Sequence, residues 1–173
     1  ILTLNGTSLQ SRWTASSEFG RKHPIPVIMP DGKILVIGGV TFQNLGSTKI
    51  MEAELFDPVN ETWSTLPPMT VPRQYHSTAL LLPDGRVWTG GTTYSKSSRE
   101  LRVEYFVPHY YSASRPVISG DPVVGDYGET ITIPTPAGLD IDAGSLLALS
   151  TETHAGNMDQ RLIWLQIQNK NNS

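Results

Sequence analysis

Two segments of this chain carry side chains that could hold a metal ion. The first is Arg73-Gln74-Tyr75-His76-Ser77, at the mouth of the apolar run Leu80-Leu81-Leu82. A phenol oxygen and an imidazole nitrogen together form a donor set suited to copper or iron. Adjacent residues on a regular strand point to opposite faces. Tyr75 and His76 therefore reach one ion only if the backbone at Gln74-Tyr75 is irregular, which Pro72 just upstream allows. The second segment is Thr153-His154-Ala155-Gly156-Asn157-Met158-Asp159-Gln160-Arg161, a polar loop between two apolar stretches. Loops held on rigid sheets are where ligands and catalytic groups gather. The same loop also reads as a plain hydrogen-bonded turn, with Asn157 and Asp159 capping backbone and Arg161 paired with Asp159. His23 and His109 lie beside prolines in expected loops and read as structural or solvent-facing. No GxGxxG, P-loop, HExxH or GxSxG motif occurs, and no two acids are placed as a glycosidase dyad.

The elements that must position these residues form a repeat. Val27-Ile28-Met29-Pro30-Asp31-Gly32-Lys33-Ile34-Leu35-Val36-Ile37-Gly38-Gly39 returns as Leu80-Leu81-Leu82-Pro83-Asp84-Gly85-Arg86-Val87-Trp88-Thr89-Gly90-Gly91. Pro30 and Pro83 are 53 positions apart (83 − 30), and His23 and His76 each precede their proline by seven. His23 thus stands at the repeat-equivalent place to His76, and a histidine there serves sheet architecture as readily as metal binding. The neighbour separates the copies: Lys22 in one, Tyr75 in the other. A period near 50 with strand, Pro-Asp-Gly turn, strand and Gly-Gly is the pattern of stacked β-propeller blades.

Residues from about 26 to 66 are predicted to make one four-stranded blade, with strands at Ala53–Phe56 and Glu61–Leu66, closed by Pro67-Pro68. Residues 76 to 107 start another, with Arg102–Phe106 as its third strand. The pattern changes after Val107-Pro108. A linker over His109–Ser114 leads to predicted strands at Glu129–Ile133, Ser145–Leu149 and Leu162–Ile167, the alternation in the first being that of a half-buried strand. These resemble the first part of an immunoglobulin-like sandwich, which needs about seven strands. The expected class is all-β: the last blades of a kelch propeller over 1–111, then the beginning of an incomplete immunoglobulin-like domain over 112–173.

Composition narrows the partners. Of 173 residues, 15 are glycine and 13 proline, a balance that suits strands and tight turns rather than helices. A net charge of −3 argues against nucleic acid or an anionic membrane, both of which need a basic face. No apolar run approaches the 18 residues of a membrane helix. With no cysteine, disulfides and thiolate catalysis are absent from these residues. Three sequons, at Asn5, Asn60 and Asn171, are candidate glycosylation sites and lean towards secretion. The start, Ile1-Leu2-Thr3-Leu4-Asn5, has no initiator methionine or signal-peptide pattern, and a processed or partial chain is expected.

Taken in order, Arg73-Gln74-Tyr75-His76-Ser77 with its Pro-Asp-Gly strand, Arg102-Val103-Glu104-Tyr105-Phe106-Val107-Pro108 leading to Arg115-Pro116, and Thr153-His154 with Asn157-Met158-Asp159-Gln160-Arg161 resemble the galactose oxidase and glyoxal oxidase family of copper radical oxidases. The resemblance runs over essentially the whole chain. It implies a seven-bladed kelch propeller holding one copper ion near its axis, and a C-terminal immunoglobulin-like domain whose hairpin penetrates the propeller. By motif, Tyr75 matches the axial tyrosinate that accepts the substrate's proton, and His76 and His154 match the two equatorial imidazoles. The family's further ligand, a tyrosine thioether-linked to cysteine that carries the radical, would lie outside this cysteine-free segment. The implied reaction oxidises a primary alcohol or aldehyde, carbohydrate alcohols included, and reduces dioxygen to hydrogen peroxide. Ala155 stands where the family favours a small hydroxyl residue and Trp164 where it favours proline.

The sequence thus supports a C-terminal portion of a secreted copper oxidase, inactive by itself and completed by the remaining segments of the same protein. The alternative is a catalytically inactive, lectin-like kelch module that binds glycan or protein; an intracellular kelch adaptor is the weaker third. If the oxidase reading holds, Tyr75, His76 and His154 should face one point.

Overall fold

The computed structural model describes residues 1–41, 48–92, 99–135, 141–153 and 156–168. It opens on an exposed hairpin of β1 (Leu2–Asn5) and β2 (Ser8–Ser11). The first copy of the repeat follows as a four-stranded antiparallel sheet in chain order: β3 (Ile25–Ile28), β4 (Ile34–Ile37), β5 (Glu52–Asp57) and β6 (Thr62–Pro68). The second copy forms a three-stranded sheet of β7 (Ser77–Leu81), β8 (Val87–Gly91) and β9 (Glu104–Phe106). Pro108 then leads into a single 3-10 turn, His109–Ser112, the only helical element among the described residues. β10 (Gly144–Leu147) pairs with β13 (Leu162–Leu165), and between them β11 (Glu152–Thr153) pairs with β12 (Gly156–Asn157). The all-β expectation holds.

The repeat folds twice in the same way because its turn chemistry is the same. In each copy glycine takes the left-handed conformation, φ 82° at Gly32 and 88° at Gly85. Gly32 donates to the Met29 carbonyl and Gly85 to the Leu82 carbonyl, each at 2.9 Å. The turn aspartate accepts the amide two residues on, at Lys33 and Arg86. A single core joins the sheets through their first strands: Ile25, Val27, Met29, Leu35, Ile37 and Ala53 pack with Ala79 and Val87.

Each copy also buries an arginine that ties two neighbouring stretches of its sheet together. The Arg21 guanidinium donates to the Gly38 and Glu52 carbonyls and to Glu54, with which it makes a 2.8 Å ion pair. Arg73, wholly buried, donates to the carbonyls of Gly91, Thr89 and Arg102 and to the Thr89 hydroxyl. Gly38 and Gly91 are repeat equivalents, so the two arginines do the same task. Glu104, the counterpart of Glu54, takes the amides of Thr70 and Val71 and the Thr70 hydroxyl at 2.7–2.9 Å, clamping the chain that passes between the sheets. Burial pushes the Glu104 carboxyl up, but the bonds from Thr70 and Val71 outweigh it and hold the group below the usual carboxylate range.

Several expectations need correction. Glu129–Ile133 is not a strand. From Thr130 to Ile133 its side chains alternate between exposed and half-buried, but no strand among the described residues pairs with it, and Glu129 instead closes a turn on Asp126. The second sheet's first strand begins at Ser77, because Tyr75 and His76 stand in a turn. Pro67 and Pro68 lie inside β6 rather than beyond it, at the outer edge where a missing amide costs no ladder bond. The polar loop 151–160 contains the β11–β12 hairpin.

Two outcomes are expected. Arg21→Leu leaves Glu54 as an unpaired buried charge and should lower unfolding free energy by about 3–5 kcal/mol in a urea titration. Glu104→Gln should remove a component of stability that wild type holds above the ordinary glutamate range and loses as pH falls through the lowered carboxyl pKa. Melting curves of the two proteins should therefore converge on acidification below about pH 4.5.

Candidate functional site

The Tyr75-His76 pair owes its geometry to a four-residue turn. The Ser77 amide donates to the Gln74 carbonyl at 3.1 Å, and His76, the third residue, has φ 63°. A positive φ at that position alone is the type II pattern, in which glycine or asparagine is usual. The turn breaks strand alternation, and the two rings come to rest on the same side, centroids 3.8 Å apart and tilted by 30°. The irregular backbone that a shared ion requires is therefore present.

The turn is fixed from below. The Gln74 amide donates to the Thr92 hydroxyl at 2.5 Å, and that hydroxyl shares a hydrogen bond with the Ser77 hydroxyl. A Cβ at Gly91 would lie 2.8 Å from the His76 carbonyl oxygen, so only glycine lets the end of β8 pass. Arg73, directly before the turn, is the buried brace of the second sheet. His23, read as structural or solvent-facing, has φ 59° and lies beside Tyr75, ring centroids 4.9 Å apart. The signal was available: the arginine-to-histidine spacing is two in Arg21-Lys22-His23 and three in Arg73-Gln74-Tyr75-His76. One extra residue in the second copy puts tyrosine into the turn. Tyr75 is half-buried and His76 exposed. Gln74 is 1% exposed, with no hydrogen-bond partner at either end of its carboxamide.

The hairpin of β11 and β12 lies against the first strands of both sheets. On β7, Glu152 accepts the Ala79 amide at 2.5 Å and the Thr78 hydroxyl at 3.2 Å. On β3, Asn157 donates to the Pro26 carbonyl at 3.2 Å, and Gln160 accepts the Ile28 amide at 2.7 Å while donating to the Ile28 carbonyl at 2.8 Å. Asn157 also donates to Gln160 at 2.8 Å. Burial pushes the Glu152 carboxyl up to about 7, against the opposing effect of the Ala79 and Thr78 bonds. The remaining oxygens of Glu152 and Asn157 are buried without partners. Arg161 pairs with Asp159 at 3.1 Å in the open, as the sequence suggested. Asn157 instead serves the neighbouring sheet.

His154 and Ala155, between β11 and β12, lie outside the described residues, as does Asn171. Among the described residues no three of His, Cys, Asp and Glu gather in one place. His109 is exposed, edge-on to Tyr110. Asn5 is exposed at the β1–β2 turn, and Asn60 is exposed in a turn where its amide donates to Asp57.

Comparison with known proteins decides the lineage. The family described as glyoxal oxidase N-terminus matches residues 4–110. The chain belongs to the glyoxal oxidase family. It is 32% identical to an aldehyde oxidase, GLOX, of Vitis pseudoreticulata, over 86% of this chain and 32% of that protein. It is 33% identical to a galactose oxidase of Gibberella zeae, over 98% of this chain and 27% of that protein. A solved structure described as a novel fungal alcohol oxidase with catalytic diversity among the AA5 family, in complex with copper, superposes with a TM-score of 0.89. It is 34% identical and covers 99% of this chain and 38% of its own. The chain thus spans about a third of the length of these glyoxal oxidase relatives.

The left-handed conformation at His76 separates backbone strain from side-chain chemistry. His76→Gly should be more stable than His76→Ala by about 1 kcal/mol in urea titrations, because alanine pays the αL penalty and glycine does not.

Proposed function

We propose that the chain is part of a secreted copper radical oxidase, contributing the last kelch blades and the start of a C-terminal immunoglobulin-like domain. The observation that carries this reading is the Tyr75-His76 turn, which brings a phenol and an imidazole ring to one side of the chain. The hairpin that bears His154 supports it, since Glu152, Asn157 and Gln160 hold that hairpin against the strands from which the turn emerges. A phenol oxygen and imidazole nitrogens fit Cu(II). His76 and His154 would hold the ion with Tyr75, and further ligands, the cysteine-linked tyrosine among them, would come from outside this segment.

Bound copper would supply one-electron redox chemistry and a position for substrate oxygen and dioxygen. This chain's own contribution is to orient and to move a proton. Tyr75, as phenolate, would accept the hydroxyl proton of a primary alcohol or hydrated aldehyde at its Oη. His23, ring to ring with Tyr75, limits where that phenol can swing. The net reaction transfers two electrons and two protons from the substrate to dioxygen, giving an aldehyde or acid and hydrogen peroxide. Carbohydrate alcohols are within the substrate class. The remaining segments of the same protein would cover apolar surface that stands open here, Trp13 at 98% exposure and Leu2, Leu4 and Leu9 in the β1–β2 hairpin. Asn5, Asn60 and Asn171 are the proposed glycosylation sites.

The test is copper uptake by the full-length protein. One Cu(II) per chain is expected, with nitrogen hyperfine structure in its paramagnetic resonance spectrum. His76→Ala and His154→Ala should each weaken binding by roughly 100-fold or more, beyond the effect typical of outer partners. Tyr75→Phe should abolish peroxide production while copper remains bound. Absence of copper uptake by wild type would favour the lectin-like module instead.

A further inference from the structure

The outward edge of β3 offers few hydrogen-bonding groups, and the hairpin takes those of Pro26 and Ile28. Residues 26, 28 and 30 alternate with those that face the sheet and the turn. Pro26 and Pro30 have no N–H, so Ile28 alone presents both a donor and an acceptor. Gln160 pairs with it reciprocally, Oε1 accepting at 2.7 Å and Nε2 donating at 2.8 Å. Asn157 Nδ2 donates to the Pro26 carbonyl and to Gln160 Oε1, with the Ser150 hydroxyl as a further acceptor at 3.3 Å, and the 2.8 Å bond to Oε1 orients the Gln160 carboxamide. One side chain thus forms a rung of the β-ladder that no strand supplies.

We infer that Gln160, oriented by Asn157, is the positioning residue that sets how far the β11–β12 hairpin advances along β3, and through it the copper affinity of this chain; the inference rests on the copper reading above. The argument is one of register. A slide of one residue, about 3.3 Å, would set Gln160 against groups that face β4. A slide of two in either direction would set it against a proline, where its acceptor has no donor. Only one position makes both bonds. A hairpin of two residues per strand has little register of its own, and along β3 the Gln160 rung provides it, as Glu152 anchors the other strand on β7.

The experiment uses the full-length protein with Cu(II) as probe. Gln160→Leu removes both bonds. Gln160→Glu keeps the shape but sets a carboxylate against the Ile28 carbonyl, and serves if the leucine variant does not fold. Thr130→Val, which loses an exposed bond to Gln168 away from β3, is the control. The expected result for the Gln160 variants is 10- to 100-fold weaker Cu(II) binding, the usual cost of an outer partner, with altered copper–nitrogen hyperfine splitting and faster hydrogen exchange at the Ile28 amide. Thr130→Val should match wild type in all three. Copper affinity and spectrum unchanged in a folded Gln160 variant would overturn the inference and leave the copper reading standing. No copper bound by wild type would overturn both, and the two failures are thereby told apart.

Discussion

β8 and the stretch leading into β9 turn three main-chain carbonyls towards a place that water does not reach, and the Arg73 guanidinium fills it. Its donors go to Gly91, Thr89 and Arg102, so one rigid planar group does what a further strand would otherwise have to do. Buried carbonyls left without donors would each cost on the order of 1–3 kcal/mol, which makes this side chain a condition for the sheet rather than an ornament on it. The next residue opens the Gln74–Ser77 turn. Tyr75 and His76 thus follow two and three residues after a wholly buried, multiply bonded side chain. The short lever is what keeps their rings in register.

The same strands support both halves of the candidate site. β3 and β7 carry the core residues Ile25, Val27 and Ala79; β3 accepts hydrogen bonds from Asn157 and Gln160, and β7 donates to Glu152. Groups distant in sequence, the Gln74–Ser77 turn and the β11–β12 hairpin, therefore refer to one packed core. Such cores transmit small displacements rather than absorb them. A change in packing beneath β3 would be felt at both.

The sequence made the sheets legible because their signals are local. Alternating apolar residues and Pro-Asp-Gly turns act within ten residues, and each copy of the repeat checks the other. The Tyr75-His76 turn was half legible: the need for an irregular backbone followed from strand geometry, but the left-handed φ at histidine comes from Gly91 and Thr92, fifteen residues away. Arg21 and Arg73 were not read as braces, because a buried arginine looks the same in sequence as an exposed one until the carbonyls it meets are in place. Glu129–Ile133 failed for the opposite reason, since its pattern was sound but a strand is a property of two segments. The docking of Gln160 on Ile28 crosses more than 130 positions, and nothing in either neighbourhood announces the other.

The two copies of the repeat differ at the mouth of their first strand by a single residue. Arginine, glycine pair and left-handed histidine recur in both, and in the second a tyrosine is interposed. In genetic terms the distance between a plain structural corner and a potential metal-binding one is a codon inserted in frame, with no rearrangement of the scaffold around it. A fold assembled from duplicated units keeps a spare of every corner it has, and one unit is free to acquire chemistry while its siblings go on supplying architecture.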